Sequence, residues 1–119
     1  MQDPRKEVVQ IVKGFSEGKA KVIADGHLNF EVRGVLFAQL VENQDTSGRL
    51  AVNCKALPGA AFDYVDRNPT VYHIPKYLGS KGWVGIWVDG PQVNWSEVRQ
   101  ILLDAYRIVA PKSLSKVQT

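Results

Sequence analysis

Residues 27–54 contain three strand-length segments that are separated by turn signals. In residues 27–33 and 49–54, apolar side chains occupy every second position, which is the period of a strand with one buried face. The segment 35–41 is mostly apolar and follows directly after Gly34. Asp25-Gly26, just before the first segment, is typical of a two-residue hairpin turn, and strands joined by such turns pair antiparallel. This part of the chain therefore predicts an antiparallel sheet.

Amphipathic helices are predicted before and after this stretch. Asp3-Pro4 is typical of a helix start, and apolar residues then recur at helical spacing until Gly14, so the first helix is expected over residues 4–13. Near the other end, Asn94 and Glu97 have the spacing of a capping box. They open the most continuous apolar stripe in the chain, formed by Trp95, Val98, Ile101, Leu102, Ala105 and Ile108.

A shorter helix and further extended segments complete the predicted fold. The helix starts at Pro58 and has an apolar stripe of Ala61, Phe62 and Val65, while strands are expected at residues 20–24 and 83–88. One apolar face of the sheet needs cover, and the amphipathic helices can supply it. We predict an α+β fold, a two-layer sandwich whose antiparallel sheet is covered by helices on one face. A single domain is expected over residues 1–112, with a flexible tail at 113–119.

Composition restricts the class of protein and its compartment. The 119 residues are 45% hydrophobic and 23% charged, which suits one globular domain. The single cysteine excludes a disulfide within the chain and fits a reducing compartment, so we expect a cytoplasmic protein. No apolar run approaches the ~20 residues that span a bilayer, and the polar segment Met1–Glu7 is unlike a signal peptide. We therefore expect no membrane association.

No constellation of residues predicts catalysis or metal binding. Cys54 continues an alternating apolar pattern, so it is predicted to face the core as a small hydrophobe rather than to act as a nucleophile. His27 and His73 have no neighbours at metal-ligand spacing. The loop 79–82 lacks the spacing of a phosphate-binding P-loop and leads into a strand. We expect no enzyme, no catalytic residue, no metal and no cofactor.

Basic and aromatic residues are interleaved in one region. Lys76-Tyr77 and Lys81-Gly82-Trp83 have the character of a nucleic-acid-binding segment, because lysine pairs with phosphate and aromatic rings stack on bases. Trp83, near its strand end, is expected to be more exposed than Trp87, although both rings could instead fill the core. The net charge of +3, with the excess at the chain ends, is a mild basic footprint.

Three segments resemble the MmcQ/YjbR family in the same order and spacing. These are the hairpin Phe30–Ala38, the run Tyr77–Gly85 and the terminal helix Asp104–Lys112. The most specific is the middle run, with its Tyr-Leu-Gly-x-x-Gly-Trp-Val pattern. The resemblance implies a frataxin-like (CyaY-like) α+β fold and a DNA-binding role, with no catalytic residues. Arg33 and Lys81 match positions that are commonly polar or basic in that family.

The sequence departs from the implied pattern in two places. The loop Glu42–Gly48 is more acidic than a DNA-facing wing should be. The frataxin-like fold also raises the question of iron, which needs clustered carboxylates. The first helix instead sets Arg5, Lys6 and Lys13 against Glu7. We therefore predict that the chain does not bind iron.

The sequence thus predicts a non-enzymatic DNA-binding module. Its binding should be weak and sequence-independent, because no element has the character of a recognition helix. The candidate contact residues are Arg33, Lys55, Lys76, Tyr77, Lys81, Trp83 and Lys112. One alternative is a small-molecule or peptide pocket between sheet and helices, lined by Phe37, Tyr77 and Trp83. Another is a protein-partner domain that associates through a sheet edge, with monomer and homodimer both open.

Overall fold

The computed structural model describes residues 3–23, 27–42, 48–76, 78–90 and 93–115. Helices and strands follow one another in an order typical of the α+β class. In chain order they are helix α1 (Pro4–Lys13), strands β1 (Gly18–Val22), β2 (Leu28–Val32), β3 (Val35–Glu42) and β4 (Leu50–Cys54), helix α2 (Ala60–Arg67), strand β5 (Tyr72–His73), a 3-10 turn (Gly79–Lys81), strand β6 (Val84–Trp87), and helices α3 (Trp95–Val109) and α4 (Lys112–Ser115).

The strands form one six-stranded sheet in the order β1-β2-β3-β4-β6-β5. Every neighbouring pair is antiparallel, which confirms the predicted pairing. Arg33 and Gly34 connect β2 to β3, and both have positive φ, at 49° and 78°. Positive φ at both central residues is the geometry of a type I′ hairpin turn, which matches the twist of the flanking strands. The predicted Asp25-Gly26 turn lies outside the described residues.

The helices α1, α2 and α3 pack against the same face of the sheet. The buried core combines Val8 and Val12 of α1, Ala61 of α2 and most of the apolar stripe of α3 with alternate residues of the strands. The sheet contributes Phe30, Val32, Phe37, Ala38, Leu40, Leu50, Val52, Cys54, Tyr72, Val84 and Ile86. Phe37 and Ala38 interrupt the alternation because the β2–β3 register shifts beside them. The alternation seen in the sequence therefore separates a helix-covered face from a second face, called the helix-free face because none of the described helices α1, α2 and α3 packs on it. The predicted α+β architecture, with helices packed against an antiparallel sheet, is confirmed.

Local capping explains why α1 and α3 begin where they do. The Asp3 carboxylate accepts a hydrogen bond from the Arg5 amide at 3.0 Å, and the Asn94 side chain accepts one from the Glu97 amide at 3.1 Å. Each bond satisfies an amide that has no partner within the helix. The predicted bounds of α1 and the predicted N-cap of α3 are confirmed.

Two sequence-based expectations differ from the structure. Phe62, assigned to the inner stripe of α2, is 63% exposed. Tyr64 takes the inner position instead, with its ring 5.0 Å from that of Tyr72 in β5. In a helix this short, the direction from which the sheet approaches decides which apolar residues are covered. The frayed tail predicted from Ser113 begins instead as α4, and residues 116–119 lie outside the described part of the chain.

Gly18 opens β1 where the chain passes close to the end of α1. A Cβ atom at this position would lie 2.3 Å from the carbonyl oxygen of Val12. Backbone cannot swing aside as a side chain can, so we expect Gly18→Ala to lower the free energy of unfolding by about 2 kcal/mol, within the usual cost of overpacking. Urea denaturation would measure the loss.

Gly90→Ala is the matched control for this experiment, because no atom of the described residues lies within 4 Å of a Cβ built there. That variant should be as stable as the parent or slightly more stable, since alanine restricts the unfolded chain. Equal stabilities for the two variants would show that the α1–β1 junction tolerates a side chain and would contradict the tight contact.

Cys54 is fully buried in the core, as the alternation predicted. Burial, with a smaller contribution from the negative charge of Asp104, raises the pKa of its thiol to about 12. Only the thiolate attacks thiol reagents. At pH 8 we expect a colorimetric disulfide reagent to label the native protein no faster than the protein unfolds, and to label the urea-unfolded chain rapidly. Rapid labelling of the native protein would contradict a buried structural role.

Candidate nucleic-acid interface

The antiparallel register brings several predicted contact residues to one end of the sheet. The β2–β3 turn, the end of β4 and the β5–β6 connection all lie there, because Ala38 of β3 pairs with Cys54 and Cys54 pairs with Val84. His73, at the end of β5, pairs with Gly85 near the start of β6. Arg33, Lys55, Lys76 and Lys81 occupy these connections.

Helix α3 returns to the same end. The hydroxyl of Tyr106 donates a hydrogen bond to the carbonyl oxygen of Ser16 at 2.8 Å. Ser16 lies two residues before Gly18, which pairs with Val32 beside the β2–β3 turn. The C-terminal part of α3 and the following Lys112 are therefore placed at this end of the sheet. We call it the basic end and define it by Arg33, Lys55, Lys76, Lys81 and Lys112.

Arg33 is engaged by a carboxylate at the basic end. Its guanidinium donates to both oxygens of Glu17, at 3.1 and 2.9 Å. This hydrogen bond, followed by the positive charge of Arg33, holds the pKa of Glu17 below its ordinary value. Both residues have positive φ, which is unusual for residues with a Cβ atom. The Glu17 carboxylate neutralises much of the charge that Arg33 could offer to a phosphate.

Three lysines of the basic end, Lys55, Lys76 and Lys81, differ in exposure, but none has a described carboxylate close to its ammonium group. Lys76 and Lys81 are exposed and Lys55 is half-buried. Within the described ranges, no carboxylate lies within 4.0 Å of the ammonium groups of Lys55, Lys76 or Lys81. Lys81 ends the 3-10 turn and is followed by Gly82, whose φ of 82° lets the chain turn into β6.

The opposite end of the sheet has a different charge arrangement. There, Arg5 pairs with Glu42 at 3.0 Å and Arg49 pairs with Asp89 at 3.2 Å. Each of these arginines is thus compensated by an acid in direct contact. At the basic end, by contrast, Lys55, Lys76 and Lys81 have no carboxylate within 4.0 Å among the described residues.

The aromatic part of the predicted interface is corrected by the structure. Trp83 is only 4% exposed, so the expectation that it is partly exposed is wrong. It lies outside the regular strand, yet its ring is covered, and it cannot stack on a base in this conformation. Tyr77 lies outside the described residues. The more exposed of the two tryptophans is Trp87, which is half-buried.

Trp87 belongs to a stack on the helix-free face of the sheet. Its ring lies 4.1 Å from that of His73, nearly parallel, and the Arg49 guanidinium lies 4.2 Å from its centroid. Gly85 makes this arrangement possible, because a Cβ there would lie 2.3 Å from the His73 ring. The sequence showed Trp87 and Gly85 on one face, but His73 reaches them only through strand pairing.

A row of mostly polar residues crosses the same face and was missed by sequence reasoning. Direct register partners bring together Lys21, Asn29, Gln39, Asn53, Gly85 and His73. The Gln39 amide donates to the Asn29 side chain at 2.9 Å, and Asn53 is fully buried. Each residue is an alternate position of its strand, so the signal was present in the sequence. The sequence did not show that these positions from six strands would be aligned in one row.

Of the three residues predicted to line a pocket between sheet and helices, Phe37 and Trp83 are buried and Tyr77 lies outside the described residues. Phe37 is fully buried in the core and its ring packs edge-on against Tyr106 at 5.8 Å. One cavity, of about 520 Å³, instead lies between β6 and the start of α3. A second, of about 420 Å³, lies between α2 and α3.

The described ranges lack a metal-binding cluster and a membrane-spanning helix. They contain no group of three or more histidine, cysteine, aspartate or glutamate residues placed to hold a metal ion. No helix in these ranges combines the length and the apolar character needed to cross a membrane.

The Glu17–Arg33 pair makes a testable contribution to pH-dependent stability. Because the pKa of Glu17 is lowered in the folded protein, its contribution is present above the unfolded value of roughly 4.3 and is lost as pH falls through the lowered pKa. Glu17→Gln should therefore destabilise the protein at pH 7 but have a progressively smaller effect below pH ~4. Urea denaturation between pH 3 and 7 measures this, and an effect that is independent of pH would contradict the pairing.

Comparisons with known proteins identify the family of this chain and a structure with the same fold. The YjbR family model matches residues 14–108. The crystal structure of a Deinococcus radiodurans protein assigned to the domain DUF419 superposes with a TM-score of 0.75 at 19% identity, covering 98% of this chain and 91% of that one. At that identity the likeness concerns the fold alone. No curated protein matches the sequence. The family match extends over most of the chain, from the end of α1 to the last turns of α3, and the protein belongs to the YjbR family.

Proposed function

We propose that this protein is a non-enzymatic DNA-binding module that contacts phosphates through the basic end. The observation that carries the proposal is the register of the sheet. It gathers Lys55, Lys76 and Lys81, which are separated by up to 26 positions in sequence, at one end of the fold, and no described carboxylate lies within 4.0 Å of their ammonium groups. The return of α3 adds Lys112.

Short-range electrostatics support this choice of surface. At physiological ionic strength the screening length is about 8 Å, so a phosphate responds mainly to the charges nearest to it. Lysines without an adjacent carboxylate attract phosphate, whereas an arginine already paired with an acid is largely neutralised. The basic end groups three such lysines, whereas at the opposite end Arg5 and Arg49 are paired with acids and Lys6 is a single exposed lysine.

The proposed binding is weak and insensitive to sequence. Lysine acts as a point charge toward phosphate and does not read base edges. Helices α1, α2 and α3 bury their apolar faces against the sheet, and Trp83 is enclosed, so the described residues present neither a base-reading helix nor a stacking ring at the basic end. Four lysine contacts would give a log–log salt slope of roughly −4 on duplex DNA.

Fluorescence anisotropy of a labelled random-sequence duplex, titrated across a salt series, tests the proposal. Lys76→Glu and Lys81→Glu, measured separately, should each weaken binding several-fold. Each should also reduce the magnitude of the salt slope by about one, because one phosphate contact is lost. Changing the duplex sequence should leave the affinity nearly unchanged.

Lys6→Glu is the matched control. It makes the same change of charge on an exposed residue in the first turn of α1, beside the Arg5–Glu42 pair at the opposite end of the sheet. It should retain most of the binding and the full salt slope. Equal losses in all three variants would indicate a response to net charge alone, and no binding at low salt would exclude the DNA-binding role.

A further inference from the structure

A groove of about 420 Å³ separates α2 from the second half of α3. Its lining comes from the β4–α2 connection (Lys55, Ala56, Leu57), from α2 (Ala60, Tyr64) and from α3 (Ile101, Asp104, Arg107, Ile108). The α3 residues recur at helical spacing and therefore form one continuous side of the groove. Its size falls in the range of small-molecule sites, which typically occupy about 300–1,000 Å³.

The groove exists because small residues lie where the two helices come near each other. Ala56 and Ala60 leave space at the start of α2 that longer side chains would fill. At its margins, Leu57 is 65% exposed and Ile108 is 41% exposed. Ile108 belongs to the apolar stripe of α3 that was predicted to be core. The structure therefore leaves apolar surface at the rim of a concave site, where a bound molecule could cover it.

The charged residues of the lining favour an anion. Two of them, Lys55 and Arg107, are cationic, and the third is Asp104. The Asp104 carboxylate already accepts a hydrogen bond from the side-chain amide of Gln100 at 2.9 Å. The lining thus contains two cationic residues and one acidic residue, and Lys55, which has no carboxylate within 4.0 Å among the described residues, can supply a cation to a ligand carboxylate. Burial of the ligand would strengthen this attraction relative to open water.

We propose that this groove binds a small aliphatic carboxylate, with the hydrocarbon chain against Leu57, Ala60 and Ile108 and the carboxylate beside Lys55 and Arg107. The proposal does not depend on DNA binding. The expected ligand has an apolar body and a single negative charge, because the groove lining presents both apolar and cationic side chains.

Octanoate is a suitable probe, since its eight-carbon chain is far smaller than the groove. We expect saturable chemical-shift changes in amide NMR spectra of the full chain, centred on Ala56, Leu57 and Ile108, with roughly millimolar affinity, as expected for so small a ligand. Octanol, which has the same chain length without the charge, should bind several-fold more weakly. No saturable change at 10 mM, equal binding of the two probes, or changes centred elsewhere would overturn the proposal.

Variants separate the two halves of the site. Ala60→Leu should fill the groove and abolish octanoate binding, with Ala56→Leu as a second variant if the first does not fold. Lys55→Gln and Arg107→Gln should weaken octanoate but not octanol. Lys81→Gln, at the basic end but outside the groove lining, is the control and should bind octanoate normally.

Two further readouts make the result specific. Ala60→Leu should keep the DNA affinity of the parent protein, so loss of octanoate binding and failure of the DNA-binding proposal are distinguishable. Sedimentation over a range of protein concentrations should show a species whose mass does not change when octanoate is added. Self-association that Ala60→Leu prevents would mean that a second copy of the chain occupies the groove, and it would overturn the proposal of a small-molecule site.

Discussion

The side chain of Tyr106 joins three parts of the protein that are far apart in sequence. Its ring lies 5.1 Å from that of Phe15 and 5.8 Å from that of Phe37, and its hydroxyl donates to the Ser16 carbonyl oxygen at 2.8 Å. The α1–β1 connection, β3 and α3 are therefore held by one fully buried residue. Because this contact sets the path of α3 along the sheet, it also places Arg107 beside the groove and Lys112 at the basic end.

The second organising feature is the contrast between paired arginines and lysines without carboxylate neighbours. Surface ion pairs contribute little to stability, so the pairs of Arg5, Arg33 and Arg49 matter chiefly through the charge that they remove from the surface. Lys55, Lys76 and Lys81 then remain as a local positive charge at the basic end. A chain with a net charge of only +3 can thus present a locally positive end of the sheet.

The helix-free face of the sheet carries polar and aromatic side chains that are aligned across the strands. Its polar row and the stack of His73 on Trp87 across Gly85 depend on strand pairing over the full width of the sheet. Alternation marks each of these residues as facing away from the helices. The neighbours of each residue follow only from the register, which local sequence does not specify when strands are joined by long connections such as that from β4 to β5.

Local physical chemistry made the secondary structure and fold class predictable. The caps at Asp3 and Asn94, the turn at Arg33-Gly34 and the alternation of residues 27–33 and 49–54 each act within a few residues, so sequence alone determined α1, α3 and the antiparallel pairing of β2 with β3. Burial depends instead on what packs against a residue from elsewhere in the chain. Tertiary structure alone therefore decided that Trp83 is enclosed while Phe62 is exposed, that Glu17 engages Arg33, and that lysines from two separate connections meet at one end.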